Sequence, residues 1–450
     1  MSICRSSIPI FTLLIMSFAF SAATADSKAF TKTVLPNGLT VIVKPEESAG
    51  IVAIEVFIKA GASEERESNA GIGNMIAHTL LTSTRNKRAE KVAAIADEVG
   101  GNLQTEWHPD YTEIKAITTT SEFENAVILL GDILNNADFE RKWVDRARQD
   151  ILAEMAAEDD DIFNATYEQI RQRLYKDNPY HRPPSGYTRV IQSITPDDLQ
   201  QFYNQYYVPN NIVISVVGDV KADKAARMFS MAFAGTSSKT LPKQRQIPEE
   251  SLTESKSDLL ERPIGAAYIM FGFLAPSVTS PDYPAARVAA VALGSGKGSR
   301  MFQDLREKQG LAYELGTIYP MMKEQSHMLV YLVTDPYRLT YPGFTIEMTL
   351  EDVKKAVLAE INKIQNEPLT NEELERAKRY TIGTYALSHQ RIRERAFHLG
   401  WMEAIGLGCE YDSAYDSKIE AVTAADVQLA ARKYLNNYAM TIVLPEAIEK

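Results

Sequence analysis

One pattern occurs twice in the chain, and it limits the fold more than any other feature. Ile194 and Thr195 lead through Pro196, Asp197 and Asp198 to Tyr206, Asn210 and the apolar run Ile212–Val217. Val422 and Thr423 lead through Ala424, Ala425 and Asp426 to Tyr434, Asn437 and the apolar run Met440–Leu444. Asp198 and Asp426 are 228 positions apart, and so are Tyr206 and Tyr434. Each copy reads as a helix with a threonine at its N-terminus, followed by a β-strand. A shared unit at this spacing predicts two homologous halves.

Other segments fit that division. In the first half, Val34–Val43 alternates about Asn37-Gly38, a hairpin signal, and Ile51–Ala60 reads as a further strand. Ala266–Phe273 takes the same part in the second half. Helical periodicity covers Ala89–Val99, Glu122–Asn135, Arg141–Glu158, Pro284–Leu293, Leu350–Asn366 and Asn371–Ile405. Residues 236–262, rich in Ser, Thr, Lys, Pro and Glu, read as an exposed linker. The expected architecture is α+β: two α/β lobes, residues 26–235 and 263–450, each a mixed sheet packed with helices, enclosing a cavity.

Residues 1–25 stand apart. Arg5, the apolar stretch Ile8–Phe20 and Ala23-Thr24-Ala25 before Asp26 have the form of a secretory signal peptide. An uncleaved membrane anchor is the alternative. The expected location is outside the cytoplasm, in a bacterial periplasm, with no membrane span after cleavage. Without this segment the chain has 47 basic and 59 acidic residues, a net charge of −12. An acidic chain without a basic run is a poor partner for nucleic acid or anionic lipid. Cys4 lies in the signal and leaves only Cys409, so an internal disulfide is excluded.

The segment carrying chemistry is Gly71-Ile72-Gly73-Asn74-Met75-Ile76-Ala77-His78. On a helix, positions i and i+4 share a face, so Asn74 and His78 lie together, with Ala77 beside them. The segment resembles the helix that carries the inverted zinc motif H-x-x-E-H of the pitrilysin/insulinase peptidase family. In that family two histidines hold zinc and the glutamate deprotonates a bound water. Here Asn74 stands for the first histidine and Ala77 for the glutamate, and only His78 remains. The resemblance makes Glu154, 76 residues after His78, the third ligand, and puts Ala147 where a supporting acid would stand. Gly100-Gly101-Asn102-Leu103-Gln104 matches a substrate-presenting strand whose asparagine has become Gln104. Asn178-Pro179-Tyr180-His181-Arg182-Pro183, with Gly186, matches a family turn.

The second half keeps more of the pattern. Leu293–Arg300 is glycine-rich but fails as a phosphate loop, since Gly298 follows Lys297 where Ser or Thr is required. Ser299–Tyr313 instead resembles the family's turn and helix ending R-E-K-x-G-L-A-Y. In the family, an arginine and a tyrosine seven residues apart reach the substrate from the second lobe, and these are Arg306 and Tyr313.

The resemblance spans about Thr31 to Pro445 and implies a peptide-binding cavity between lobes. Two protein ligands are too few for an ordinary catalytic zinc, so zinc in this chain is doubtful and no other cofactor is expected. His108, His181, His327, His389 and His398 show no ligand spacing. In the two-chain branch of the family, one chain carries H-x-x-E-H and the other the arginine–tyrosine pair. The preferred expectation is a subunit inactive alone, binding peptide beside an H-x-x-E-H paralogue. The alternatives are a weak zinc peptidase using His78, Glu154 and Asn74, and a peptide-binding or scaffold protein without proteolytic role.

Overall fold

The computed structural model describes residues 30–446, except Ser48, Gln244, Gln246 and residues 335–349. The signal-like segment therefore lies outside the described residues. Among them, no helix is long and apolar enough to cross a membrane.

The first sheet comprises β1 (Thr31–Val34), β2 (Thr40–Pro45), β3 (Ile51–Ile58), β4 (Gln104–Trp107), β5 (Thr112–Thr119) and β6 (Ile212–Gly218). Their order is β1-β2-β6-β3-β5-β4. The second comprises β7 (Lys256–Arg262), β8 (Ala267–Ala275), β9 (Glu314–Ile318), β10 (Ser326–Thr334) and β11 (Ala439–Pro445), in the order β7-β11-β8-β10-β9. In each sheet one pair is parallel, β2 with β6 and β7 with β11, and the strands beyond it are antiparallel. Five strands thus correspond one to one, and β1 is extra. The central strand β6 is buried along its whole length, as its unbroken apolar run requires. Residues 256–262 were expected to close the linker, yet they form β7. Its polar sequence hides the strand because this edge faces solvent, with only Asp258 and Leu260 half-buried.

Helices α1 (Ile72–Thr79), α2 (Ala89–Glu98), α3 (Phe123–Asn136), α4 (Arg141–Asp160), α5 (Ile162–Leu174), α6 (Thr188–Ser193), α7 (Pro196–Tyr206) and α8 (Ala222–Ala232) belong to the first half of the sequence. Helices α9 (Tyr283–Gly294), α10 (Leu350–Asn366), α11 (Asn371–Leu387), α12 (Ile392–Ala404), α13 (Tyr411–Glu420) and α14 (Ala424–Tyr434) belong to the second. The repeated unit is α7–β6 and α14–β11. Both helices open with the same reciprocal cap: Thr195 with Asp198 and Thr423 with Asp426 exchange side-chain and backbone bonds of matching length. The long helix expected over Asn371–Ile405 is two helices. α11 stops where the Ser388 hydroxyl bonds back to the Tyr385 carbonyl, and α12 restarts with Glu394 accepting from the Arg391 amide.

Each half sends one helix to the other half's sheet. α12 lies across β3 and β6, while α5 lies across β8 and β11. Phe57, Ala53, Val213 and Val217 of the first sheet therefore share a core with Ala396, Leu399 and Trp401 of α12. Ile170 and Leu174 of α5 share another with Met270, Leu274 and Leu329 of the second sheet. The opposite face of the first sheet packs on α1, α3 and α7 in a third core.

Candidate functional site

α1 is short, and its position is fixed mostly from outside. Gly71 precedes it with φ +95°, and a Cβ there would meet the Ser185 carbonyl at 2.9 Å. Gly186, φ +87°, lies back to back with it, where a Cβ would meet the Ala70 carbonyl at 2.5 Å. Two left-handed glycines in contact bring the 183–186 turn against the helix start. The free amides of that start are met by Glu65, which accepts from Gly71 N at 2.8 Å and Gly73 N at 3.0 Å. Burial pushes the Glu65 carboxyl up to about 8, against the two amide donors and nearby Arg182. The sequence reading missed Glu65; an acidic residue seven positions before a helix without a Ser, Thr, Asp or Asn cap was the available signal.

Asn74, Ala77 and His78 all lie on this helix, as the i, i+4 spacing expects. His78 Nε2 lies 3.5 Å from Glu154 Oε2 on α4. Asn74 and Glu154 line a small cleft of about 150 Å³ together with Trp107, Ile151, Glu158 and Ser185. Ala77 is 4 % exposed, and its carbonyl accepts the Thr105 hydroxyl of β4 at 2.5 Å. Its side chain is a methyl and cannot accept a proton. Ala147 is buried on the inner face of α4. Gln104 begins β4, the free edge of the first sheet, and is exposed. The donor set that gathers is one imidazole and one carboxylate, with the Asn74 amide nearby. That set does not fit a catalytic zinc, which takes three protein ligands plus water.

The cleft opens towards a larger one of about 1210 Å³ beside α5, with which it shares Glu158, Pro184 and Ser185. Tyr167, Gln172, Arg262 and Val443 also line the larger space, so both halves of the chain contribute to its wall.

The 178–183 turn ties the lobes. Tyr180 donates its hydroxyl to Asp110 at 2.5 Å and accepts from the Glu324 amide at 3.0 Å; Asp110 also accepts from the Lys323 amide at 3.1 Å. Burial raises the Asp110 carboxyl above its ordinary range, against the Tyr180 hydroxyl and Lys323 amide, which both donate to it and favour its ionised form. Arg182 donates to the carbonyls of Ala62 and Glu65 and so holds the loop that carries the Glu65 cap. His181 is engaged by Asn178 and Glu67, a structural role.

Arg306 lies in a π-helical stretch, Phe302–Lys308, where the resemblance to the family implied an ordinary helix. Such widened turns are common at functional sites. Its guanidinium sits over the Phe302 ring, 4.9 Å from the centroid, and is exposed. Gly310, φ +64°, ends the stretch by donating to the Arg306 carbonyl. Tyr313 follows just before β9, its amide bonded to the Val333 carbonyl and its side chain 47 % exposed.

Two family models match the chain. The one described as "Insulinase (Peptidase family M16)" matches residues 40–186, which include Asn74, His78 and Glu154. The one described as "Peptidase M16 inactive domain" matches residues 193–380, which include Arg306 and Tyr313. An uncharacterized zinc protease of Rickettsia felis is 26% identical over 376 residues, 82% of this chain and 86% of its own length. The uncharacterized zinc protease YmxG of Bacillus subtilis is 24% identical, with 91% of this chain and 97% of that protein covered. The crystal structure of a protease from Helicobacter pylori superposes with a TM-score of 0.83 at 20% identity, covering 92% of this chain and 99% of that one. A peptidase M16 inactive domain from Pseudomonas fluorescens gives 0.81 at 21% identity, covering 94% and 99%. At such identities the solved structures speak for the fold alone. The two matched models, both of peptidase family M16 and covering residues 40–186 and 193–380, show that the chain belongs to the pitrilysin/insulinase family.

Proposed function

We propose that this chain is a non-catalytic M16 subunit that binds peptide and completes a peptidase whose H-x-x-E-H motif stands on a paralogous partner chain. The observation that carries the reading is Ala77: a buried methyl with its carbonyl tied to Thr105 occupies the general-base position. Loss of a positioned base alone costs about 10²–10⁴ in rate. Arg306 and Tyr313, by contrast, are both solvent-accessible at their family spacing. In this reading an extended peptide lies along the β4 edge. Arg306 donates to a peptide carbonyl or the developing oxyanion, and Tyr313 donates beside it, while hydrolysis occurs on the partner. Export to a periplasm belongs to the same proposal and rests on residues 1–25.

The test is coexpression with an H-x-x-E-H paralogue and measurement of peptide cleavage by the mixture. Arg306→Ala combined with Tyr313→Phe is expected to lower kcat/KM by about 10²–10³-fold. An unchanged value would point to a scaffold without a role at the substrate. The 3.5 Å approach of His78 and Glu154 favours one second reading, a weak zinc peptidase, for which zinc would have to copurify and activity would have to vanish in His78→Ala.

A further inference from the structure

The edge strand β4 has two faces, and only one packs on α1. Thr105 and Trp107 face α1, where Thr105 bonds to Ala77 and a Cβ on Gly73 would meet the Trp107 ring at 1.9 Å. The other face carries Gln104 and Glu106, because side chains alternate along a strand. Register continues that face across the sheet: Glu106 lies opposite Glu113, and Lys115 lies opposite both Gln104 and Glu55. His108 follows in the β4–β5 turn and folds back over it.

Three ligand atoms converge there. His108 Nε2 lies 3.1 Å from Glu113 Oε2 and 3.5 Å from Glu106 Oε2, and all three atoms fall within 4.8 Å of one another. A tetrahedral ion with bonds of about 2.0–2.1 Å separates its ligand atoms by roughly 3.3 Å. A second observation points to the same place. Glu55 is fully buried on the adjacent strand, and neither of its carboxylate oxygens has a hydrogen-bond partner. Its closest cation is Arg393, at 3.9 Å. A buried carboxylate without donors is costly unless a proton or a cation is shared with its neighbours.

We propose that Glu106, His108 and Glu113, backed by Glu55, bind a divalent transition-metal cation on the face of β4 opposite His78 and Glu154. One imidazole with two carboxylates suits Zn²⁺ or Mn²⁺. Lys115 is the built-in competitor. Its ammonium lies 2.5 Å from Glu106 Oε1 and 3.6 Å from Glu113 Oε2, so it holds the outer oxygen of Glu106 and repels an entering cation. Linear spacing concealed the site, since its donors come from a strand, the turn after it and the neighbouring strand. The other histidine cluster does not compete. His389 and His398 gather with Asp412, but their rings stack 4.1 Å apart at 12°, so their lone pairs run parallel and cannot converge on one ion.

The test is calorimetric titration of the chelator-stripped full chain with Zn²⁺ and with Mn²⁺. About one equivalent of at least one ion should bind, and binding should persist in the double variant His78→Ala, Glu154→Gln. His108→Gln and Glu113→Gln should each weaken it by at least about 10-fold, since losing even an outer partner of a ligand costs about 10–100-fold, whereas Lys115→Met, which leaves every ligand in place, should tighten it. Absence of binding by both ions overturns the proposal. So does binding that is abolished by His78→Ala, or binding indifferent to both His108→Gln and Lys115→Met.

Discussion

At the residue scale, the account turns on two side chains of α1. Asn74 offers an amide where a second imidazole is needed, and Ala77 offers nothing to take a proton. Asn74→His should complete a His–His–Glu set with His78 and Glu154. The variant is expected to hold about one equivalent of zinc more than the parent, measured by metal analysis after dialysis, without gaining a catalytic base. If it holds no more zinc than the parent, the approach of His78 to Glu154 does not mark a ligand pair. The grouping of positions 74, 77 and 78 was legible from helical spacing, and their reading as departures came from the resemblance to the family. Glu65 was not legible, because its role depends on a chain reversal that brings a loop carboxylate onto the helix start. Burial raises Glu65 from 4.5 to about 8, and the sign follows. An acid with a higher pKa in the folded chain favours folding most below its unfolded value and loses that contribution as pH rises towards 8, at about 1.4 kcal/mol per pH unit. Glu65→Gln keeps one acceptor and removes the slope. Its melting temperature should fall less than the parent's between pH 5 and 8; parallel curves would contradict the assignment.

At the scale of elements, local chemistry sets where helices begin and close packing sets where they lie. The caps at Thr195 and Thr423 are geometrically matched, so Thr195→Ala and Thr423→Ala should each cost about 1 kcal/mol in urea unfolding, within a few tenths of one another. A cost at one alone would argue against equivalent units. Gly73 lets α1 approach β4, where any Cβ would overlap the Trp107 ring. Gly73→Ala should therefore destabilise by about 1–3 kcal/mol despite alanine's better helix propensity; a stabilised variant would show that the contact yields freely. Sequence reading found these helices because their caps and periodicity are local. It missed β7, whose residues are polar on an exposed edge, and the π-helical turn at Phe302–Lys308, which leaves no trace in a pattern of apolar positions. It ran α11 into α12, since the break depends on a serine hydroxyl turning back on its own helix.

At the scale of the molecule, the internal repeat was visible and the exchange of helices was not. Nothing in a sequence says that α12 covers the first sheet or that α5 covers the second, because the apolar residues of either helix would suit the sheet of either half. The exchange makes each half depend on the other. Residues 26–235 expressed alone would expose Phe57, Val213 and Val217 and should be aggregated or partly unfolded, with soluble protein recovered when residues 236–450 are coexpressed. A soluble, cooperatively folding first half would contradict this. The same dependence holds α1 and the Arg306–Tyr313 segment in one body, and in the proposed reading that body serves a catalytic centre on another chain. The most direct measurement is peptide hydrolysis by the purified full chain in zinc-supplemented buffer, alone and after mixing with an H-x-x-E-H paralogue. The account predicts no turnover above background from the chain alone and robust turnover from the mixture that exceeds the paralogue's own. Hydrolysis by this chain alone, abolished by His78→Ala, would contradict it.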